Sequence, residues 1–269
     1  MYLRSLHLLL VIMLSIGAYL MSIPAQCDSL ADSKITSIKV MSAYLNSVDK
    51  KDEAGKIADG KIPSSLAHLC SENLGLWVEK TIDGAKIAGL IDTITGRNLL
   101  SDAEQSIFQL ELYVNDTKAG VRALSGWDSS KIKSTPTSLQ IILSGRKEAG
   151  IENMQAVVTA KLSGDKKFIL WRLKVSGLSD KASVHIARFP EVALSLKNGY
   201  WSLFFPISSG IVKSGDFLKN VDFSGEYPNG WCTMQYMSCY DSSSGFYYAC
   251  HDPYGSYRIL NALGKSDSS

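Results

Sequence analysis

The sequence lacks the residue patterns from which most metal sites and common catalytic motifs are built. Its four histidines, at positions 7, 68, 185 and 251, are scattered, and no Cys-x-x-Cys pair occurs. A Rossmann glycine fingerprint, a phosphate-binding loop and a Gly-x-Ser-x-Gly elbow are also missing. We therefore expect no metal and no cofactor, and the sequence supports no α/β-hydrolase triad.

The chain also lacks an excess of charge of either sign and a repeated unit. It has 28 Lys and Arg against 26 Asp and Glu, a formal net charge of +2. Binding to phosphates requires a dense positive surface, whereas the Lys50–Lys51 and Lys166–Lys167 pairs are short. We expect no nucleic-acid partner, and the absence of a period of roughly 20 to 50 residues argues against a propeller or solenoid.

The N-terminus has the features of a targeting segment. Arg4 precedes an apolar run from Leu8 to Met21, and small residues follow near Ala25 and at Ser29-Leu30-Ala31. The run is shorter than the roughly 20 apolar residues that a spanning helix needs. The pattern predicts a signal peptide over residues 1–31, a secreted (periplasmic or extracellular) mature chain, and no membrane association after the signal is removed.

From Asn73 onward the sequence is typical of β-strands. Nine or more short runs of alternating or β-branched residues are separated by Gly, Asp and Ser turns, and the connections are too short for helical crossovers. This pattern predicts an all-β chain with one large antiparallel β-sandwich over residues 70–260. A helical or irregular lead-in is expected over residues 32–69 and a disordered tail over 261–269.

The stretch from Tyr227 to Tyr257 is predicted to form a hairpin with many aromatic side chains. Two such runs flank a Ser/Gly connection, and aromatic faces can cover the C–H face of a sugar while polar groups bind its hydroxyls. Such a hairpin is also stable without any ligand. The candidate ligand-binding residues are Trp231, Gln235, Tyr240, Tyr248, His251 and Asp252.

Catalysis by this hairpin is not supported by its pattern, and no catalytic residue is predicted. Neighbouring strand residues point to opposite faces, so His251 and Asp252 cannot share a site through adjacency alone. Asp241 and Asp252 stand where Asp commonly binds its own backbone in a turn. If Tyr240 faces Phe246, the thiols of residues 239 and 250 lie on opposite sides of the sheet, which leaves both free thiols and a bulged disulfide open.

Several segments resemble a known family of secreted proteins. They are Glu72–Leu76, Ile87–Leu100 and Leu110–Leu112, followed by Arg188–Pro190, Phe205–Pro206, Tyr227–Trp231, Met234–Gln235 and His251–Pro253. Together they are similar to the galactose-mutarotase-like N-terminal β-sandwich of glycoside-hydrolase-like proteins related to α-galactosidases and endo-α-N-acetylgalactosaminidases. In that family a (β/α)₈ barrel, which needs about 250 residues, follows the sandwich and carries the catalytic carboxylates.

The resemblance implies a carbohydrate-binding N-terminal domain that lacks its catalytic barrel and is not an enzyme alone. The expected partners are a glycan and that barrel. Two alternatives remain open. The chain could be an enzyme: a mutarotase type, for which His185 or His251 with Glu191 would be the starting candidates, or a glycoside hydrolase, whose two carboxylates would come from Glu226, Asp241 and Asp252. It could instead be a structural or adhesive secreted sandwich.

Overall fold

The computed structural model describes residues 8–13, 63–81, 84–101, 106–114, 121–123, 126–146, 150–196, 199–228 and 230–264. These residues form seventeen β-strands and one 3₁₀-helix, and neighbouring strands pair in antiparallel register, for example Gln155–Leu162 with Ile169–Ser176 and Tyr236–Tyr240 with Gly245–Cys250. The predicted all-β, antiparallel fold class is therefore confirmed, and the sheets are consistent with a sandwich. Within the described residues no helix is long and apolar enough to cross a bilayer.

The strands are short and closely spaced along the chain. Their bounds are β1 Leu8–Met13, β2 Leu66–Cys70, β3 Leu74–Thr81, β4 Gly84–Asp92, β5 Gln109–Val114, β6 Val121–Ala123, β7 Ser129–Thr135, β8 Ser138–Ser144, β9 Gln155–Leu162, β10 Ile169–Ser176, β11 Ala182–Arg188, β12 Ser202–Phe205, β13 Ile211–Ser214, β14 Asp222–Tyr227, β15 Tyr236–Tyr240, β16 Gly245–Cys250 and β17 Arg258–Leu263. The 3₁₀-helix, Gly215–Asn220, lies between β13 and β14.

The chain divides into two compact units. The described residues from 63 to 195 belong to the first unit, and those from 196 to 264 belong to the second together with residues 9–13. The predictions of a signal peptide and of the lead-in fall mostly outside the described residues. Within them, β1 lies in the predicted signal segment, β2 begins near the end of the predicted lead-in, and β17 ends within the predicted tail.

The first unit contains strands in the orders β10-β9-β8-β7, β2-β3-β4 and β11-β5-β6. Its strands β8 and β9 alternate between buried and partly exposed residues, which is the pattern of a sheet with one face on a core. Trp171 of β10 is fully buried opposite Ala160 of β9, so a large side chain is paired with a small one. Such pairing of a large with a small side chain allows a core to pack closely.

The second unit contains a sheet in the order β13-β12-β15-β16 and the two-stranded β14-β17 sheet. β1 pairs with β16 in antiparallel register, with Leu10 opposite Cys250. One core cluster of this unit consists of Phe205, Cys232 and Leu260, against which partly buried side chains such as Met237 and Tyr248 pack. The packing brings residues from β12, β15, β16 and β17 into one apolar cluster.

The predicted aromatic hairpin is present as β15 and β16. Tyr240 lies opposite Gly245 and Cys239 opposite Phe246, so the predicted pairing of Tyr240 with Phe246 is wrong by one residue. The shift places Cys239 and Cys250 on the same face of the hairpin, about 13 Å apart along the strand direction. That separation is too great for a disulfide, and the cysteines of the described residues form none.

The hydrogen bonds of the turn between the two hairpin strands explain why an Asp stands at its first position, residue 241. The Asp241 Oδ1 atom accepts hydrogen bonds from the backbone N–H groups of Ser243 and Ser244, both at 2.7 Å. This is the local bonding expected of Asp in a turn. The structural interpretation of Asp241 is therefore confirmed.

Candidate functional site

The second unit has an open cleft of about 460 Å³ at the end of the aromatic hairpin. Strands β14, β15 and β16 and the segment after β16 contribute its walls. The residues that line it are Tyr227, Met234, Gln235, Tyr236, Tyr247, Ala249, Cys250, His251, Asp252 and Pro253. Aromatic and apolar side chains thus surround a small number of polar groups, the usual composition of a ligand pocket.

A row of aromatic rings extends into this cleft across three strands. The Phe204 and Tyr236 rings are stacked with centroids 5.2 Å apart, and the Tyr236 and Tyr247 centroids are 5.4 Å apart. The three rings share one face because of the sheet register and the alternation of side chains. They are only partly buried, and burial followed by the neighbouring Tyr236 raises the pKa of Tyr247, so its hydroxyl stays protonated at neutral pH.

Gln235 provides a polar group with unused hydrogen-bonding capacity. Its Nε2 atom donates to the Asp252 carbonyl oxygen at 3.2 Å, and its backbone carbonyl accepts from Cys250 N–H at 2.8 Å. The Gln235 Oε1 atom is buried and has no hydrogen-bond partner among the described residues. An unpaired buried acceptor costs free energy, so a small movement that exposes this atom to a donor would be favourable.

The Asp252 carboxylate organises the segment after β16. Its Oδ1 atom accepts from Tyr254 N–H at 2.9 Å, and its Oδ2 atom accepts from Ser256 N–H at 2.8 Å. Arg258 Nη2 also donates to Oδ2 at 2.6 Å. Hydrogen bonds from Ser256 first, then from the Tyr254 backbone and Arg258, hold the pKa of Asp252 well below its usual range. The predicted turn role of Asp252 is confirmed.

Arg258 connects this turn to the wall of the cleft. Its guanidinium contacts the Cys250 sulfur and lies 5.9 Å from the centre of the Tyr227 ring. The side chains of Arg258 and Asp252 are only 8% and 12% exposed. The ion pair is therefore largely shielded from solvent and fixes the position of the segment that carries His251 and Asp252.

The structure brings three of the six predicted ligand-binding residues to the cleft. Gln235, His251 and Asp252 line it, and His251 is exposed. Tyr248 is on the other face of β16, where it packs against the apolar cluster. Tyr240 lies at the turn end of β15, and Trp231 is 73% exposed. Neither of these two is among the cleft-lining residues.

The sequence analysis missed four residues that shape the cleft: Tyr227, Tyr236, Tyr247 and Arg258. The two hairpin tyrosines are adjacent to predicted candidates and occupy the face that the corrected register exposes. A correct prediction of the strand register would have placed both tyrosines on this face. No local sequence signal marked Arg258, which is six residues beyond its Asp252 partner.

The first unit has a separate group of polar side chains on β5 and β11. Arg188 forms an ion pair with Glu111, and the Tyr113 and His185 rings are 4.3 Å apart. Glu191 follows β11 and has a raised pKa, chiefly because burial disfavours its charged form, while Arg188 and Gln109 act in the opposite direction. Among the described residues no group of three potential His, Cys, Asp or Glu metal ligands occurs.

Comparison with known proteins finds a short match to a longer protein and no matching family model. No family model matches the sequence. A Monosiga brevicollis protein named "Putative glycoside hydrolase 22789" is 37% identical over 70 residues, which cover 24% of this chain and 6% of that protein. The matched part is thus a small fraction of a much longer relative. Together with the all-β fold, this match is compatible with a β domain related to glycoside hydrolases.

Proposed function

We propose that this chain is a carbohydrate-binding β module of a glycoside-hydrolase-related protein, and that the cleft of the second unit holds the sugar. The observation that supports the proposal best is the pair of partly buried rings, Tyr236 and Tyr247, in the same cleft as Gln235 and His251. Sugar rings present an apolar C–H face and a rim of hydroxyls. This cleft offers a matching surface for each.

The polar groups of the cleft differ in their access to a ligand. The exposed His251 imidazole can donate to or accept from a hydroxyl directly, whereas the unpaired Gln235 Oε1 atom is buried and becomes available only if the side chains around it move. A carboxylate has about four acceptor positions. The Tyr254 and Ser256 N–H groups, the Ser256 side chain and Arg258 occupy these positions on Asp252, so its carboxylate holds the segment in place rather than binding a hydroxyl.

The finer assignment is also a proposal. We infer that the chain is the galactose-mutarotase-like N-terminal module of a secreted protein, that a catalytic barrel is its partner, and that the module alone does not cleave glycans. The length of the Monosiga brevicollis relative, of which the match covers 6%, supports a role within a larger protein. The segment resemblance around Tyr227–Trp231 and His251–Pro253 supports the choice of family.

One observation favours the enzyme alternative. A carboxylic acid with a raised pKa is suited to proton transfer, and Glu191 has this property beside Arg188. If the first unit catalyses mutarotation, purified chain should accelerate the equilibration of freshly dissolved α-galactose or α-glucose, followed by polarimetry. Glu191→Gln should then abolish the acceleration. Equal rates with and without the protein would exclude this alternative for those sugars.

Glycan binding can be tested with the whole chain. A glycan array would identify a ligand, and calorimetry would then compare wild-type protein with Tyr236→Ala and His251→Ala. Loss of one aromatic contact should weaken binding about tenfold, because such contacts contribute roughly 1 kcal/mol beyond area burial. Tyr113→Ala, which removes an exposed ring from the first unit, is the matched control. Unchanged affinity in both cleft variants would contradict the proposed site.

A further inference from the structure

The two-stranded sheet of β14 and β17 has one face in the core of the second unit and one face in solvent. Gly225 and Leu260 are buried, and Phe223 and Tyr227 pack against the apolar cluster. The alternate positions are all exposed. They are Asp222, Ser224 and Glu226 on β14 and Ile259, Asn261 and Leu263 on β17.

Large exposed side chains surround Glu226 at one end of this outer face. Ile259 is directly opposite Glu226 in the strand register, and the Tyr257 hydroxyl donates a hydrogen bond to the Glu226 carboxylate. Cys232 N–H donates to the Glu226 carbonyl at 3.0 Å, and Gly230 lies against the Glu226 side chain. The backbone of Trp231, between these two residues, is therefore held next to Glu226.

These apolar side chains are accessible to a ligand. Trp231 is 73% exposed, Tyr257 60% and Ile259 48%. Single exposed apolar residues are normal on a protein surface, but several together around a polar group mark an interaction surface. We call the set of Trp231, Glu226, Tyr257 and Ile259 the outer platform.

The chemistry of the outer platform favours a ligand with many hydroxyl groups and no negative charge. The six outward positions of β14 and β17 include two carboxylates, one hydroxyl and one amide but no Lys or Arg. Carboxylates accept hydrogen bonds from hydroxyls and repel anions such as phosphate, sulfate and uronate groups. The exposed rings can cover the C–H faces of sugar units.

We infer that the outer platform is a second carbohydrate-binding surface, which binds a neutral polysaccharide chain along the β14-β17 sheet. The inference rests on the proposed glycan-binding function but concerns a different surface. Glu226 and Tyr227 are neighbours on β14 and point to opposite faces, so the outer platform and the cleft are on opposite sides of that strand.

The shape of the surface explains why the ligand is a chain. A flat surface buries little of a single sugar, whereas a pocket can bury most of a small ligand. A polymer gains affinity on a flat surface by contacting several side chains at once. Trp231, whose backbone runs beside Glu226, and Tyr257, which donates to the Glu226 carboxylate, provide such separate contacts. The cleft, in contrast, suits one or two sugar units.

Binding to insoluble polymers tests the inference with the whole chain. The probes are a neutral β-glucan, a galactan and a mannan, each compared with a sulfated or uronate-containing polymer in a depletion assay. Trp231→Ala and Tyr257→Ala should each reduce retention on the neutral polymer about tenfold. Phe217→Ala, which removes another ring that is 71% exposed in the second unit, should leave retention unchanged.

Glu226→Gln extends the test to ligand charge. It keeps the size of the side chain at an exposed position and removes the negative charge, so it should increase retention on the sulfated or uronate polymer relative to wild type. Circular dichroism and thermal midpoints that match wild type would establish that the variants fold. Wild-type retention in both ring variants would overturn the inference. The inference would also be overturned if the ring variants lost binding to a polylysine column while their retention on polysaccharide stayed unchanged.

Tyr236→Ala separates this inference from the proposed function. If Tyr236→Ala alone loses glycan binding, the cleft proposal stands and the outer platform is refuted. If Trp231→Ala and Tyr257→Ala alone lose polymer retention, the outer platform stands and the cleft is refuted. A wild-type chain that binds neither oligosaccharides nor polymers overturns both.

Discussion

Two antiparallel strand pairs, β9–β10 in the first unit and β15–β16 in the second, differ in how their two faces are used. In β9–β10, residues such as Val158 and Trp171 are fully buried on one face, and the other carries exposed charges at Lys161 and Arg172. In β15–β16, Cys239 and Phe246 are buried on one face, while the other carries partly buried rings.

The difference indicates what each pair contributes. In β9–β10, core packing explains the residues of the buried face, and contact with solvent explains the charged residues of the other face. The cleft face of β15–β16, which carries Tyr236 and Tyr247, is neither fully buried nor charged. Apolar rings left in this state are available to a ligand. The number of aromatic residues alone therefore does not point to a site. The incomplete burial of the rings on one face does point to the candidate site.

The largest expected effect is on the stability of the β9–β10 pair. Trp171→Ala removes a fully buried side chain, and such truncations cost about 3–5 kcal/mol through lost burial and the cavity that remains. Urea denaturation followed by circular dichroism measures the change. Arg172→Ala, the exposed neighbour, should change the free energy of unfolding by less than about 0.5 kcal/mol. Similar losses in the two variants would contradict the assigned burial.

A smaller loss is expected when the turn beside the cleft is disrupted. Asp252→Ala removes the carboxylate that pairs with Arg258 and leaves that guanidinium shielded without its partner, which should cost about 2 kcal/mol. Asp222→Ala, at an exposed strand position, is the control for removal of an acidic group. The measurement is again the free energy of unfolding. Equal stability of the two variants would show that the ion pair contributes little.

The same carboxylate predicts a pH dependence with a definite sign. The pKa of Asp252 is lower in the folded protein than in the unfolded chain, where it is about 3.9. Its stabilisation is therefore complete above that value and is lost as the pH falls below it. Between pH 6 and pH 3, wild type should lose more stability than Asp252→Ala. Parallel curves for the two proteins would argue against this contribution.

Substitution on the cleft face should separate binding from stability. Tyr247→Ala removes one ring from the row, and the lost ring contact should lower the free energy of unfolding by about 1 kcal/mol. Glycan affinity should nevertheless fall about tenfold, which calorimetry would measure. A stability loss as large as that of Trp171→Ala would show that the cleft face of β15–β16 contributes as much to stability as the buried face of β9–β10. The proposed difference between the two strand pairs would then be wrong.

The effect that is smallest at neutral pH concerns the thiol on the buried face of the hairpin. Burial raises the pKa of the Cys239 thiol to about 12, and Asp241 adds to the increase. In the unfolded chain a thiol ionises near pH 8.5. The contribution of Cys239 to stability should therefore be complete below about pH 8.5 and decline as the pH rises toward 12. Cys239→Ala removes this contribution and is the reference.

Thiol alkylation provides the direct measurement for Cys239. At pH 8.5 the folded protein should react with iodoacetamide at Cys70, which is partly exposed, and not at Cys239. Both should react after denaturation in urea. Rapid modification of Cys239 in the folded protein would show that this face of the hairpin is open to solvent.

Much of the local structure could be predicted from residue types and spacing. Alternation predicted the strands, and the Ser/Gly connection after Asp241 predicted a hairpin turn that the structure confirms. The turn role of Asp252 followed from its position before Pro253. These features depend on a few neighbouring residues, so short-range sterics and hydrogen bonding decide them.

The register of the hairpin could not be obtained in that way. A shift of one residue moves each side chain of a strand to the other face, and no single residue in the connection fixes the pairing. The predicted register therefore placed Cys239 and Cys250 on different faces and did not distinguish Tyr247 from Tyr248 as the cleft residue. Packing of Tyr248 and Met237 against the Phe205 cluster determines which face is buried.

The sequence by itself determined an all-β chain, an aromatic hairpin and two Asp-capped turns, because each follows from local pattern. Only the tertiary structure decided that Tyr236 and Tyr247 form a row beside Gln235, that Arg258 holds Asp252, and that Trp231 lies next to Glu226. These contacts join different strands and the segments that follow them. Strand register and core packing, rather than the identity of neighbouring residues, set their distances.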